Sequence, residues 1–288
     1  MFAATSPFRA EPLRASPDFP PVLQRTTGSL RLAFAARDGL TTARVLYQEA
    51  ALKVRLPKVR GIPPEAVMIN TAGGLTGGDS VSVSVDMDAG ASAVVTGQAC
   101  EKIYKSSGGA ARISTALTLA SGAALSWLVQ PTIMFDHARM HRSMQVDMAA
   151  DATLLALESI VFGRTAMDEA VNVGFVADTW RIRRAGRLIY ADTFRVDGDV
   201  AGAVANPAVL AGNKAMATMI YVGPDAESRR DDMRAIITET GLDLAAVSAW
   251  DGMMITRLAA CDGYTLAQNL VAVLTRFRRA AVPRVWMI

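Results

Sequence analysis

Acidic side chains next to apolar segments are the residues of this sequence best suited to chemistry. Paired carboxylates can exchange protons with a substrate, and their oxygens can also hold a hard or borderline cation. Arg164 lies between Glu158 and Glu169 in the sequence. The alternative for this segment is therefore an arginine–glutamate pair that only fixes a turn. The candidates are Asp79, Glu101, Glu158 and Glu169, with Asp168 beside the last of them.

A glycine-rich stretch, NTAGGLTGGD at residues 70–79, is a second candidate site. Its glycines permit positive φ and a close approach of the backbone to another group, so exposed N–H groups could bind a phosphate. The stretch has neither a Gly-Lys-Ser/Thr ending nor a GxGxxG pattern, which excludes the common nucleotide-binding loops. A structural turn without a ligand is the alternative. The glycines are Gly73, Gly74, Gly77 and Gly78.

The segment QACEKIY at residues 98–104 places a thiol beside a lysine. On a strand, Cys100 and Lys102 share one face and Glu101 lies on the other. A reactive thiolate is one interpretation, and a buried, unreactive cysteine is the other.

His137 and His141 are the only histidines. On a helix they could share a metal ion, but in a strand four residues span about 13 Å, which one ion cannot bridge. Residues 127–135 have a strand pattern, which favours the second geometry. The sequence therefore contains no convincing catalytic constellation, and this favours a binding or scaffold role.

Composition excludes several classes of protein. The net charge is +3, and the basic residues form no concentrated face of the kind that binds nucleic acid. Two distant cysteines, Cys100 and Cys261, form no disulfide framework, so we expect a reducing, cytoplasmic location. The sequence has no apolar run of the length that crosses a membrane. A hydrophobic fraction of 51% is sufficient for a large core.

Alternating apolar residues predict a mostly β fold that positions these candidates. Strict alternation at residues 80–87 and 113–119 is typical of half-buried strands. Residues 179–197 indicate two strands joined by a turn at Ala185 and Gly186.

A weak internal period is more informative than any single strand. Small-residue corners around Gly90, Gly122 and Asp151 each precede an apolar strand that leads to a polar residue. Such a period predicts stacked β units, with the three polar residues at equivalent levels, whereas chance similarity of alanine-rich strands is the alternative. The polar residues are Gln98, Gln130 and Glu158.

The C-terminal part has a helical pattern. An apolar stripe at residues 265–277 predicts an amphipathic helix with a capping box of Thr265 and Gln268. A second helix is predicted at 225–240, ended by Gly241, and a strand at 253–258 lies between the two.

The proline-rich residues 1–28 predict a mobile tail, and 29–288 predict a single domain.

Several long strings, in order, resemble the urease accessory protein D family, which is called H in some bacteria. They are YQEAALKVRLP, INTAGGLTGGD, TGQACEKIYKS, ESIVFGRTAM and SAWDGMMITRL, and the similarity extends from about residue 29 to the C-terminus.

The resemblance implies a β-helix-like stack of two sheets with about two helices near the C-terminus. It also implies a non-catalytic urease maturation factor, without a tightly bound cofactor, that acts in a hetero-oligomer with apo-urease and the accessory proteins F and G. Nickel in transit would pass through an internal tunnel to the urease active site. An enzyme that uses the loop at 73–79, or a nickel-storage protein, would be the alternative function.

The family motifs match this chain residue by residue. The hypothesis is that Asp79, Glu101, Glu158 and Glu169 line or gate the nickel route. Positions expected to serve structure or interaction are Gly73, Gly74, Gly77, Gly78, Gln98, Lys102, Tyr104 and Arg164.

Overall fold

Two stacked sheets account for most of the chain. The computed structural model describes residues 24–58, 63–164, 167–242 and 244–287. In the first sheet the strands follow the order β14 (Arg187–Asp199), β13 (Val173–Arg184), β11 (Arg139–Met148), β8 (Ala111–Leu119), β5 (Ser80–Met87), β1 (Thr27–Arg37) and β2 (Leu40–Ala50).

The second sheet packs face to face with the first. Its main path is β16 (Ala245–Trp250), β17 (Met253–Ala260), β15 (Ala215–Val222), β12 (Thr153–Phe162), β9 (Ala124–Leu128), β6 (Ser92–Gly97), β4 (Glu65–Asn70) and β3 (Leu52–Arg55). Two short strands, β7 (Glu101–Ile103) and β10 (Thr132–Met134), extend it alongside β12.

The chain alternates between the sheets, and this alternation produces the internal period. In the first sheet β5, β8 and β11 pair in parallel, and in the second sheet β6, β9 and β12 do the same. Each passage turns at a small-residue corner, where the N–H groups of Ala91, Ala123 and Ala152 each bond the carbonyl three residues earlier. Gly90 and Gly122 adopt positive φ at their corners. The predicted mostly β, stacked fold is confirmed.

The core has two layers because sheet two is covered on both faces. Inward side chains of both sheets, such as Leu32, Val85 and Trp127, form the layer between them. The other face of sheet two packs under α2 (Arg229–Glu239) and α3 (Gly263–Arg278), through residues such as Leu270 and Phe277. A short helix α1 (Val200–Ala205) follows β14, and a 3-10 turn (Arg284–Met287) ends the described chain. None of the helices in the described ranges is long and apolar enough to cross a membrane.

The predicted C-terminal helix is confirmed, but its capping box is wrong. Asp262 is the N-cap, and its carboxylate accepts the N–H of Thr265 at 2.7 Å, so Thr265 lies inside the first turn. An aspartate three residues earlier competes successfully for the same amide. The predicted start of α2 is also four residues early, because residues 225–228 form turns before Arg229.

Most strand and turn predictions hold, and β17 covers the strand predicted at 253–258. The strand pattern at 127–135 is instead divided between β9, which ends at Leu128, and β10, which begins at Thr132. The turn at Ala185 and Gly186 joins β13 to β14 as expected. Most of the predicted tail, residues 1–23, lies outside the described residues, and β1 begins at Thr27, two residues before the predicted domain boundary.

Candidate functional site

A cavity of about 230 Å³ lies between the two sheets, near the strands that carry the predicted acids. Most of its wall is apolar, with side chains such as Val83, Ile113 and Trp127. Its polar lining includes the carboxylates of Glu101 and Glu158. The volume is ample for several water molecules, each of which occupies about 30 Å³ in the liquid. We call this space the inner cavity.

Glu158 is a buried carboxylate in the wall of the inner cavity. It lies on β12, and its side chain is 7% exposed. The indole N–H of Trp127 donates to Oε1 at 3.0 Å, and Nη1 of Arg142 donates to Oε2 at 2.7 Å. Burial raises the pKa of the Glu158 carboxyl, and the attraction of Arg142 opposes this shift. Each oxygen therefore has a donor, which stabilises a carboxylate away from solvent.

Arg142 connects the two sheets through a network of charged groups. It lies on β11, and its Nε and Nη2 donate to the two oxygens of Asp178 at 3.0 and 2.7 Å. Its Nη1 also donates to the hydroxyl of Thr132 at 3.0 Å. Burial alone lowers the pKa of the guanidinium, but Asp178 and Glu158 reverse the effect and raise it. The three charged groups, which we call the Arg142 cluster, carry one excess negative charge when both carboxylates are ionised.

Glu101 also lines the inner cavity, and its hydrogen-bond partner is neutral. The side-chain amide of Asn70 donates to both carboxylate oxygens, at 3.1 and 3.0 Å. Burial raises the pKa of the Glu101 carboxyl, and the hydrogen bonds from Asn70 oppose the shift. Within the described ranges no lysine or arginine forms an ion pair with it. Glu101 is thus a partly buried negative charge that lacks a cation.

A second, wider cleft opens on the far side of the Arg142 cluster. Its volume is about 610 Å³, and it lies between β13 and β14 of sheet one and β15 and β17 of sheet two. Asp178 of the cluster belongs to its wall. Arg257 in the wall pairs with an aspartate at 2.6 Å. We call this space the outer cleft, and its acidic residues are Asp178, Asp192, Asp197 and Asp199.

A family model described as UreD urease accessory protein matches residues 26–287. The urease accessory protein UreD of Rhizobium leguminosarum bv. viciae is 46% identical over 264 residues, which cover 91% of this chain and 96% of that protein. The urease accessory protein UreD of Azorhizobium caulinodans is 44% identical over 268 residues, which cover 93% of this chain and 98% of that protein.

The chain belongs to the UreD family of urease accessory proteins. The resemblance drawn from the quoted strings is therefore confirmed over nearly the whole chain. A more distant member, from Agrobacterium fabrum, is still 41% identical over 264 residues and covers 91% of this chain.

The structure brings two of the four predicted route acids to the inner cavity of this UreD family member. Glu101 and Glu158 both line it, whereas Asp79 and Glu169 line neither the inner cavity nor the outer cleft. Asp79 accepts the N–H groups of Thr26 and Thr76, each at 2.8 Å. It therefore holds the glycine-rich stretch against the start of β1.

Glu169 forms an ion pair that fixes a turn. Its Oε2 lies 2.7 Å from Nε of Arg164, whose guanidinium also stacks on Phe135 at 4.2 Å. Asp168 adopts a positive φ of 52° in the same turn. This is the arrangement that the alternative interpretation of the segment described.

The glycine-rich stretch packs against the segment that contains Lys102 and Tyr104. Leu75 N–H donates to the carbonyl of Lys102 at 2.7 Å, and the Tyr104 hydroxyl donates to the carbonyl of Gly73 at 3.1 Å. A Cβ atom at Gly74 would overlap the Tyr104 ring. The space beside Gly74 is thus filled by the protein itself, which favours a structural turn over a ligand cradle there, whereas the space beside Gly73 is open and this glycine lines the inner cavity.

The remaining glycines of the stretch serve the same packing. A Cβ atom at Gly77 would overlap the hydroxyl of Ser106 and the carbonyl of Gly108, and Gly78 has a φ of 91°. Gly77 therefore allows the two segments to touch, and Gly78 supplies a backbone conformation that other residues rarely adopt.

The predicted alignment of three polar residues is wrong. Glu158 lies one residue after Leu157, which pairs with Leu128, whereas Gln130 lies two residues after Leu128. Because side chains alternate along a strand, Glu158 points between the sheets, while Gln130 donates to the carbonyl of Val285 on the other side. Gln98 is exposed at the rim of the inner cavity.

Cysteine and histidine supply no reactive group at the cavities. Burial raises the pKa of the Cys100 thiol, which disfavours the thiolate. His141 lies in β11 on the outer face of sheet one, in edge-to-face contact with Phe175, and His137 is in the turn before that strand. Within the described ranges no group of three or more histidine, cysteine or acidic side chains has the geometry to hold a metal ion.

Arg142 and Asp178 are the residues of this site that the sequence patterns missed. Both occupy inward positions in strands whose other inward residues are apolar, such as Met140 and Met144 in β11. Each is a charged residue at a position where the alternation of the strand expects an apolar one. This signal could have identified them, because a buried charge must be paired.

Proposed function

We propose that this UreD family member is a non-catalytic urease maturation factor that binds apo-urease with the accessory proteins F and G. It conducts nickel to the urease active site through the inner cavity, the Arg142 cluster and the outer cleft. The observation that carries the proposal is that two cavities between the sheets meet at one cluster of charged residues.

The chemistry of the walls supports a cation as the cargo. Carboxylate oxygens are suitable ligands for borderline divalent ions, and the acids are spread along the route instead of gathered at one point. Glu101 lines the inner cavity, Glu158 and Asp178 belong to the Arg142 cluster, and further aspartates line the outer cleft. Separated single carboxylates attract a hydrated ion without holding it in a closed site, as transit requires.

The same walls support a role without catalysis. Cys100 is the one thiol at the inner cavity, and its pKa is raised by burial. Neither histidine lines either cavity in the described part of the chain. A nucleophile with an adjacent base, the usual arrangement in covalent catalysis, is absent from these lining residues.

The test is the nickel content and activity of urease from cells that express the urease genes with and without this chain. We expect nickel-poor, inactive urease without the chain and restoration of both when it is supplied. A Glu158→Ala chain that still associates with urease should restore much less nickel than the wild type. Fully loaded urease in cells without the chain would contradict the proposal.

A further inference from the structure

The Arg142 cluster lies between the inner cavity and the outer cleft. Arg142 and Glu158 line the inner cavity, and Asp178 lines the outer cleft. The Arg142 guanidinium bonds both carboxylates, and its side chain is 4% exposed. A cation moving from one space to the other therefore meets a fixed positive charge, and the two carboxylates that could receive it are already occupied.

We propose that Arg142 is the gate of the cation route, and that a divalent cation passes only by taking the place of its guanidinium between Glu158 and Asp178, while the guanidinium turns into the inner cavity that Arg142 already lines. This inference rests on the proposed nickel route. The exchange involves no covalent step, since one cation replaces another between the same two carboxylates. The Thr132 hydroxyl, which also accepts from Arg142, becomes a further oxygen ligand when the guanidinium leaves.

Charge balance makes the exchange selective for divalent ions. With Arg142 in place, the cluster has two carboxylates and one positive charge. A divalent ion between the same carboxylates gives a neutral cluster, whereas a monovalent ion leaves the excess negative charge in a buried position. Because uncompensated charge is costly away from solvent, Ni²⁺ competes with the guanidinium better than Na⁺ or K⁺ does.

The geometry explains why the gate is an arginine. The planar guanidinium grips Asp178 with two parallel bonds and still directs Nη1 at Glu158 and Thr132. A lysine ammonium is a point charge and lacks this fork. Arg142 can therefore hold both sheets together when no cation is passing.

The test compares nickel binding by the full-length wild-type chain and the Arg142→Gln variant, after dialysis against NiCl₂ and metal analysis. Removal of the guanidinium leaves Glu158 and Asp178 facing an unoccupied junction, so we expect one additional nickel ion per chain. The triple variant R142Q/E158Q/D178N should lose that ion. Arg44→Gln is the matched control, because Arg44 grips Asp88 through Nε and Nη2 on the surface, and it should bind as the wild type does.

A variant that fails to fold still decides the question. If Arg142→Gln is unfolded in metal-free buffer, we expect NiCl₂ to restore its circular dichroism spectrum, because a ligand of the native state stabilises that state. Wild-type nickel content in a folded Arg142→Gln chain, or no recovery of an unfolded one, would overturn the gate. So would additional nickel that persists in the triple variant. Urease that matures without the chain would overturn the nickel route itself, a separate result.

Discussion

Glu158→Gln is a sharp perturbation because each oxygen of the native carboxylate accepts from a different donor. Trp127 Nε1 donates to Oε1 at 3.0 Å, and Arg142 Nη1 donates to Oε2 at 2.7 Å. Glutamine has nearly the same shape, but an amide NH₂ replaces one oxygen. One of the two donors must then face another donor in a buried position.

The expected cost follows from this mismatch. A buried donor left without an acceptor destabilises the native state by about 1–3 kcal/mol. The substitution also removes a buried charge. This relieves its desolvation and its repulsion by Asp178 but gives up its attraction to Arg142, and because the first two effects prevail, part of the cost is offset. We therefore expect a net loss of about 1–2 kcal/mol in the free energy of unfolding, or a fall in Tm of roughly 2–8 °C.

The assay is urea and thermal unfolding followed by circular dichroism, combined with a double-mutant cycle using Trp127→Phe. Arg142 forms the stronger, charge-assisted hydrogen bond and therefore keeps the remaining oxygen, so the indole N–H is the donor that Glu158→Gln leaves unsatisfied. Deleting the indole N–H should then cost about 1 kcal/mol less in the Glu158→Gln background. A Glu158→Gln chain as stable as the wild type would refute the reasoning. Additive effects of the two substitutions would show that Trp127 and Glu158 do not share the bond.

Three further predictions concern the inner cavity and the glycine-rich stretch. Burial raises the native pKa of the Glu101 carboxyl above its ordinary value of 4.5, so the stability that this group contributes is lost as pH rises from that value through the native pKa. Glu101→Gln should flatten the fall in Tm over this range, and an unchanged slope of Tm against pH would contradict the prediction. Gly77→Ala should destabilise the chain by about 1–3 kcal/mol in urea unfolding, whereas Gly108→Ala, with open space around it, should be nearly neutral. Asp79→Asn removes one of two acceptors for backbone N–H groups, so it should lower stability by about 1–3 kcal/mol without lowering the nickel content of urease.

The β architecture was largely predictable because its signals are local. Alternation at β5 and the corners around Gly90 and Gly122 each depend on a few neighbouring residues, and parallel stacking follows once the corners repeat. The helix ends were less accurate, since Asp262 and Thr265 are both good capping residues and only the observed hydrogen bond decides between them.

The candidate site was predicted only in part because its decisive contacts are non-local. Glu101 and Glu158 were recognisable as acids in apolar surroundings, but the partner of Glu158 comes from β11 in the opposite sheet. Arg142 and Asp178 are 36 residues apart and meet only because β11 and β13 are neighbours in sheet one. Pairing of this kind depends on sheet order, which strand periodicity does not specify.

The central claim is that nickel passes through the inner cavity, and blocking that cavity tests it most directly. Thr115 is a buried residue of β8 that lines the cavity, whereas Thr118 of the same strand is exposed on the outer face. We would measure the nickel content of urease matured with Thr115→Phe or Thr118→Phe chains that still co-purify with urease. For Thr115→Phe we expect a urease nickel content as low as that of cells without the chain. For Thr118→Phe we expect the urease nickel content of the wild type. Normal nickel delivery by a Thr115→Phe chain that still binds urease would contradict it.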